Sequence, residues 1–352
     1  MNEPAAAGFI LYGDYMNIYL ENGYVDIKKI LSYNMPFNFI VGGRGTGKSY
    51  GALQHVYQNN IRFMLMRRTQ AQCDLINKPE FNPFKALASD LNLNIAVKTI
   101  SKYNSMLVEE SDEDFKILGY TCALSTIANM RGFDASDVQI LLYDEFIPER
   151  HERQIKNEGS AFLNAYETIN RNRELQGKNP LQVLCLANAF NMANAIFLEL
   201  GLVGITERMI QKGNYFYLNK NKGILIVLLN ESTISEQKRE TALYKVAGGA
   251  YTEMALSNDF AYNDASGILS QNLKEYSLLC TVGEISIYKH KSDRYYYISE
   301  HKTGTADEFN SDEVGLMKYR KKYGIRLFSA HMRNRIKFES MLTKSLFEIY
   351  TI

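Results

Sequence analysis

At 352 residues the chain exceeds the size at which one hydrophobic core usually suffices, which predicts two domains. Hydrophobic residues make up 46% and charged residues 22%, enough apolar surface for a sizeable core, which excludes an intrinsically disordered chain. A net charge of +1 excludes a uniformly basic or acidic surface, although a near-neutral sum can conceal a basic patch.

Residues 1–34 are polar and rich in tyrosine (Tyr12, Tyr15, Tyr19, Tyr24, Tyr33), and predict an N-terminal helical arm. No signal peptide is expected, and no apolar run approaches the ~20 residues of a membrane span. Cys73, Cys122, Cys185 and Cys280 lie far apart, with neither metal-ligand nor C-x-x-C spacing, and read as reduced thiols of an intracellular protein. Phe37–Val41 is a short apolar strand ending at glycine, and Ser49–Tyr57 follows as a helix with Ala52, Leu53, Val56 and Tyr57 at helical spacing. Ile61–Met66 reads as a strand, Thr69–Leu91 as mostly helix broken at Pro79 and Pro83, and Ile95–Val97, Met106–Val108 and Phe115–Leu118 as short strands. Val138–Tyr143 is a strong strand running into Asp144-Glu145; Glu158–Glu174 is a helix and Leu181–Ala187 a further strand. Tyr215–Leu218 and Ile224–Leu229 read as strands at the far edge of the layer. Strands alternating with helices predict an α/β fold with a parallel sheet covered on both faces. Residues 231–265 have the polar, glycine-containing texture of a linker. Beyond them Ser277–Val282, Glu284–His290 and Arg294–Ser299 form an antiparallel meander pattern, and Ser311–Tyr323 and Ala330–Tyr350 read as helices rich in lysine and arginine.

Between the first strand and its helix, Gly42-Gly43-Arg44-Gly45-Thr46-Gly47-Lys48-Ser49 fits G-x-x-x-x-G-K-[ST] without a mismatch. Backbone N–H groups of such a turn converge on phosphate oxygens at a helix N-terminus, where the dipole favours negative charge. Residues Gly42 to Ser49, with Tyr50 after them, are therefore expected to bind a nucleoside triphosphate, ATP, with Lys48 reaching the β- and γ-phosphates and Ser49 ligating Mg²⁺.

The strand that ends in Asp144-Glu145 supplies the expected second half of such a site. Asp144 would hold Mg²⁺ through its water shell, and Glu145 would orient and polarise the attacking water. A GTPase would need N-K-x-D, and Asn77-Lys78-Pro79-Glu80 fails at its last position. Asn188 either reaches the γ-phosphate and lytic water or caps a helix. Arg171 and Arg173, near the end of the helix after the acidic pair, are either fingers for a neighbouring subunit's site or cations favourably placed at a helix C-terminus. Arg44 either touches phosphate or pairs with Glu145 and holds it from water; Arg67-Arg68 can do either job, or simply solvate a strand end.

The blocks Phe39–Tyr50, Tyr143–Ile147, Arg171–Glu174 and Cys185–Ala189 resemble those of the phi29-type phage DNA-packaging ATPases, in the same order and at similar spacing. Weaker similarity runs through Tyr251–Ser257 into the C-terminal meander. The resemblance implies a P-loop ATPase domain over residues 35–230, a linker over 231–265 and a small α+β, RNase H-like C-terminal domain over 266–352 that has lost its nuclease activity. It further implies a homo-oligomeric ring, pentameric in the family, docked on the portal of an empty capsid in the host cytoplasm. Such a ring drives double-stranded DNA inward by ATP hydrolysis, in some cases with a structural RNA, and involves no membrane. Arg171 matches the family's trans-acting finger, with Arg173 its neighbour. A departure follows Arg67-Arg68, where Thr69-Gln70 stands in place of the lysine that relatives can carry. The competing readings are a P-loop nucleotide or small-molecule kinase and a non-catalytic nucleic-acid-binding scaffold.

Overall fold

The computed structural model describes residues 18–130, 132–148, 152, 155–188, 193–229, 233–246 and 267–352. Residues 1–17 of the expected arm, most of the expected linker, Ala189 and the Tyr251–Ser257 block lie outside them. The chain forms two compact units, one from residues 1–199 and 209–262, the other from 200–208 and 263–352.

The first unit runs in the order α1 (Ile27–Leu31), β1 (Phe37–Gly42), α2 (Lys48–Gln58), β2 (Phe63–Arg67), α3 (Gln70–Ile76), α4 (Lys85–Leu91), β3 (Ile95–Thr99), β4 (Ser105–Glu110) and β5 (Phe115–Ala123). It continues through β6 (Ile140–Asp144), α5 (Glu158–Asn170), β7 (Gln182–Ala187), α6 (Ala195–Glu199), β8 (Phe216–Asn219), β9 (Ile224–Leu229), α8 (Thr233–Arg239) and α9 (Ala242–Val246), while α7 (Val203–Gln211) falls mostly in the second unit. Its nine strands form one sheet in the order β3-β4-β5-β2-β6-β7-β1-β9-β8. From β5 to β9 the sheet is parallel. Strands β2, β6 and β9 are buried along their whole length, as strands covered on both faces must be, and they read as apolar runs broken only by the charged last residues of β2 and β6. Asn38 interrupts the run in β1, and its side-chain amide donates to the carbonyls of Met35 and Val183 at 2.7 and 3.1 Å.

The sheet is mainly parallel, as expected, and turns antiparallel only at its edges, where β3–β4, β4–β5 and β8–β9 pair. The loops 100–104, 111–114 and 220–223 are far too short for a crossover, so these strands can only turn back as hairpins. The helix expected over Glu158–Glu174 ends at Asn170, because Arg171 and Asn172 take left-handed backbone at φ 47° and 57°. Asn170 holds this turn, accepting from the Leu181 amide at 2.9 Å and donating to Glu174 at 2.7 Å.

The second unit contains β10 (Tyr276–Val282), β11 (Ile285–His290), β12 (Tyr296–Ser299), β13 (Asp307–Phe309), α10 (Glu313–Tyr319), α11 (Ile325–Met332), β14 (Ile336–Phe338) and α12 (Met341–Thr351). The expected meander is β10–β11–β12, and two short strands join its edges in parallel, giving β13-β10-β11-β12-β14. The helix expected over Ala330–Tyr350 is instead two helices separated by β14. Asn334 at φ 54° turns the chain so that residues 336–338 pair with β12, and a Ser340/Thr343 capping box then starts α12. A π-helical turn at Arg320–Gly324 joins α10 to α11, which makes the basic stretch one bent helical run. Glu284, expected at the start of a strand, lies in the turn between β10 and β11.

Candidate nucleotide site

The phosphate loop takes its shape from glycines that no other residue replaces. A Cβ on Gly42 would lie 2.4 Å from Leu229 Cβ of the neighbouring β9, so only glycine lets β1 end against that strand. Gly45 and Gly47 adopt φ of +79° and +83°, and Gly47 begins α2. The N-terminal segment braces the loop: the Val25 amide donates to the Thr46 carbonyl at 3.0 Å, and Tyr24 packs where a Gly47 side chain would stand.

Lys48 is buried inside the loop, its ammonium donating to the carbonyls of Gly42 and Gly43 at 2.9 and 2.8 Å. It also donates to Thr46 Oγ1 at 3.3 Å and Asn188 Oδ1 at 3.4 Å. Burial lowers its pKa to about 8, opposed by the Asp144 carboxylate and reinforced by the nearby cations Lys238 and Arg44.

Sheet order brings in the acidic pair. β7 lies between β1 and β6, so Asn188 at its C-terminal end stands between the loop and Asp144. Asn188 Oδ1 faces Lys48, accepting from its ammonium at 3.4 Å. Helix capping falls instead to Asn194, whose Oδ1 accepts from the Ile196 and Phe197 amides at 3.1 and 3.0 Å. Ser49 Oγ donates to Asp144 Oδ1 at 3.0 Å, joining loop and acidic strand at the position expected for the metal.

Glu145 stands at φ 57°, a left-handed conformation that costs a non-glycine residue about 1–2 kcal/mol. Its side chain is 57% exposed. Arg67, the last residue of β2, holds both carboxylates. One guanidinium nitrogen lies 3.1 Å from Asp144 Oδ2 and the other 2.7 Å from Glu145 Oε2. Among the described residues Arg67 Nε is buried without a hydrogen-bond partner, so the two carboxylates are what hold the group there. Pairing of β2 with β6 places Met66 beside Tyr143, and hence Arg67 beside Asp144. The pairing with Glu145 expected of Arg44 or of the Arg67-Arg68 pair is made by Arg67; Arg44 is exposed on the loop. Arg68 faces the opposite way and is completely buried, with Nε and Nη2 on the two Glu158 oxygens at 2.6 and 2.9 Å.

The remaining expected residues lie elsewhere. Tyr50 donates its hydroxyl to Asp90 of α4 at 2.7 Å. Arg171 is 41% exposed, donates to the Phe133 carbonyl and lies 3.5 Å from Asp134. Arg173 donates to the carbonyls of Ala135 and Ser136 at 3.1 and 3.4 Å. Both arginines thus grip loop 133–136 of their own chain. Lys238 of α8 had no signal in the sequence, since its segment reads as linker. Its ammonium donates to the Arg44 carbonyl at 2.9 Å and occupies the space a Gly45 side chain would take.

The sequence pattern of the family described as Podovirus DNA encapsidation protein (Gp16) matches residues 21–351. The chain belongs to that family. Viral DNA packaging is accordingly its function, and the kinase reading has no support. Among relatives, the DNA packaging protein of Bacillus phage B103 is 28% identical over 90% of this chain and 97% of its own length. That of Bacillus phage phi29 is 25% identical over 91% of this chain and 94% of its own. A solved structure described as the bacteriophage Phi-29 viral genome packaging motor assembly superposes with a TM-score of 0.61 at 19% identity, covering 93% of this chain and 98% of that one. That likeness shows a shared fold over nearly the full length of both chains.

Proposed function

We propose that this encapsidation protein hydrolyses ATP and couples the hydrolysis to movement of double-stranded DNA. The observation that carries this reading is the Ser49–Asp144 hydrogen bond of 3.0 Å, with Lys48 on one side and Glu145 on the other. Triphosphate suits the loop because Gly45 and Gly47 take the positive φ that turns its backbone, and Lys48 with the α2 N-terminus supplies positive charge. Ser49 and Asp144 would hold Mg²⁺; among the described residues no cluster of three carboxylate, histidine or cysteine ligands exists, which suits an ion that takes most of its oxygens from water and phosphate. The ion supplies charge neutralisation at the transferring phosphoryl group.

The chain's own residues account for the remaining roles. Glu145 is the base that aligns and polarises water, and Arg67 restrains its carboxylate in a strained backbone setting. Asn188 bridges Lys48 and the water position, and Arg44 and Lys238 add positive charge on the loop's outer side. Lys48 sets a pH limit. Below pH 8 its amine is charged and attracts phosphate; above it, binding must take up a proton. The dissociation constant of a non-hydrolysable ATP analogue should therefore rise by up to about tenfold per pH unit above 8. Lys48→Arg, charged throughout, should flatten that profile in a fluorescence titration.

We further read the chain as one subunit of a homo-oligomeric ring, pentameric as in the family it resembles, docked on the procapsid portal in the host cytoplasm, with a structural RNA as an added partner. Among the described residues no helix is long and apolar enough to cross a membrane. Arg171, half-exposed on a turn, is the residue we assign to the neighbouring subunit's site, with Arg173 bracing the turn. We read the second unit as RNase H-like and without nuclease activity. Its Asp307 is taken up by Lys322 and Tyr323, Asp312 caps α10, and Glu284 lies in a turn. DNA-stimulated phosphate release by mixtures of wild-type and Arg171→Ala chains tests the ring. Mutant subunits should depress activity more than in proportion to their fraction; a linear fall removes the trans assignment, and release that ignores DNA removes the coupling.

A further inference from the structure

A cation from far along the chain rests on the phosphate loop. β9 runs parallel to β1 with Leu229 opposite Gly42, so the chain leaves the sheet beside the loop. α8 begins at Thr233 and sends Lys238 back over the loop's first half. The Lys238 ammonium donates to the Arg44 carbonyl at 2.9 Å. A Cβ on Gly45 would lie 1.7 Å from Lys238 Nζ and 2.6 Å from Cε, so the end of the side chain lies directly on the Gly45 backbone. Among the described residues no carboxylate lies within ion-pair distance of Lys238, and its partial burial lowers its pKa with no anion to oppose the shift. Lys48 feels both Lys238 and Arg44 as like charges, opposed only by Asp144.

Three cations around one turn repel one another, and holding a flexible lysine there costs side-chain entropy in return for one bond to a neutral carbonyl. An anion bound in the loop turns that repulsion into attraction. The place of Lys238 on the loop selects which part of the anion it meets. Lys48 reaches the β- and γ-phosphates in such a loop, and its ammonium lies against the Gly42 and Gly43 carbonyls, so the terminal phosphate belongs to the loop's first half. Arg44 and Gly45 are in that half. The later half, where Gly47 begins α2, is flanked by Tyr24 instead.

We infer that Lys238 reads the γ-phosphate: with a triphosphate in the loop its ammonium leaves the Arg44 carbonyl for a terminal phosphate oxygen and clamps α8 onto the loop. With a diphosphate the ammonium returns to the carbonyl, and α8 is held less firmly. Lys238 is then a residue that sets the preference for ATP over ADP, and α8 carries the state of the nucleotide into the chain that leads on to the second unit. The inference rests on the ATP reading of the loop.

Titration of the full-length chain with a fluorescent non-hydrolysable ATP analogue and with fluorescent ADP, both with Mg²⁺, tests it. Lys238→Met keeps an unbranched side chain of similar length and removes the charge. It should weaken the ATP analogue about tenfold and ADP by less than about twofold, because a charge-assisted bond is lost only where a γ-phosphate is present. Lys238→Arg should restore most of the preference, because the charge is kept. Hydrogen exchange of the amides of residues 233–239 adds a readout independent of turnover. Exchange should be slower with the analogue than with ADP in the wild-type chain, and equal with both in Lys238→Met. Equal weakening of both nucleotides would assign Lys238 to holding the loop's shape and overturn the inference, as would unchanged binding of both. A wild-type chain that binds neither nucleotide overturns the ATP reading itself, a result seen before any variant is made.

Discussion

Glu145→Gln should lower ATP turnover by about 10²–10⁴-fold while leaving the affinity for an ATP analogue essentially unchanged. The amide keeps the size of the carboxylate and its place one residue beyond Asp144, but has no basic oxygen with which to take a proton from water. Binding is spared because the phosphate loop, Lys48 and Ser49 do not touch this side chain, and Arg67 keeps its own bond to Asp144. The native carboxylate sits on left-handed backbone and is held by an ion pair at 2.7 Å to a buried arginine that also grips Asp144. Single-turnover phosphate release with parallel equilibrium binding separates the two effects. Turnover surviving at the wild-type rate would remove Glu145 as the base and leave a nucleotide-binding scaffold.

Arg68→Met should destabilise the first unit by about 3–5 kcal/mol, because it leaves Glu158 charged and buried without its partner. Arg68 is wholly buried, and its two-pronged pair with Glu158 ties the end of β2 to the first turn of α5. Glu158 also gains from the helix N-terminus, so its own replacement removes a dipole interaction along with the pair. The double variant Arg68→Met/Glu158→Leu should recover most of the loss, since apolar packing of similar volume replaces a buried ion pair at little net cost. Urea unfolding midpoints of the two variants provide the comparison. Equal destabilisation by single and double replacement would mean that volume, not charge, is what this contact supplies.

These adjacent arginines show where reading the chain stops short. Arg67-Arg68 stands out in the sequence as a cationic pair at a strand end, and nothing local separates the two. Alternation along β2 sends them to opposite faces, one to the Asp144–Glu145 pair and the other to α5. Arg44 lies within the phosphate-loop motif and so invites the partnership with Glu145 that Arg67 makes. Asn188 and Asn194 are equally suited to capping by residue type, and the choice between them rests on which strand neighbours β1. The three edge hairpins were legible in principle from loop lengths, whereas β13 and β14, three residues each, carry too little periodicity to register.

By itself the sequence determined the phosphate loop, the acidic strand end, the run of apolar strands and the C-terminal meander. Each depends on chemistry within about ten residues: glycines that permit positive φ, a helix N-terminus, apolar periodicity and short turns. Tertiary structure alone decided that β7 stands between β1 and β6, that Arg67 restrains Glu145 and that Lys238 lies on the loop. The reason is physical. Order in a parallel sheet is set by which faces bury best after long crossovers, and that competition is settled among elements far apart in the chain rather than within any of them.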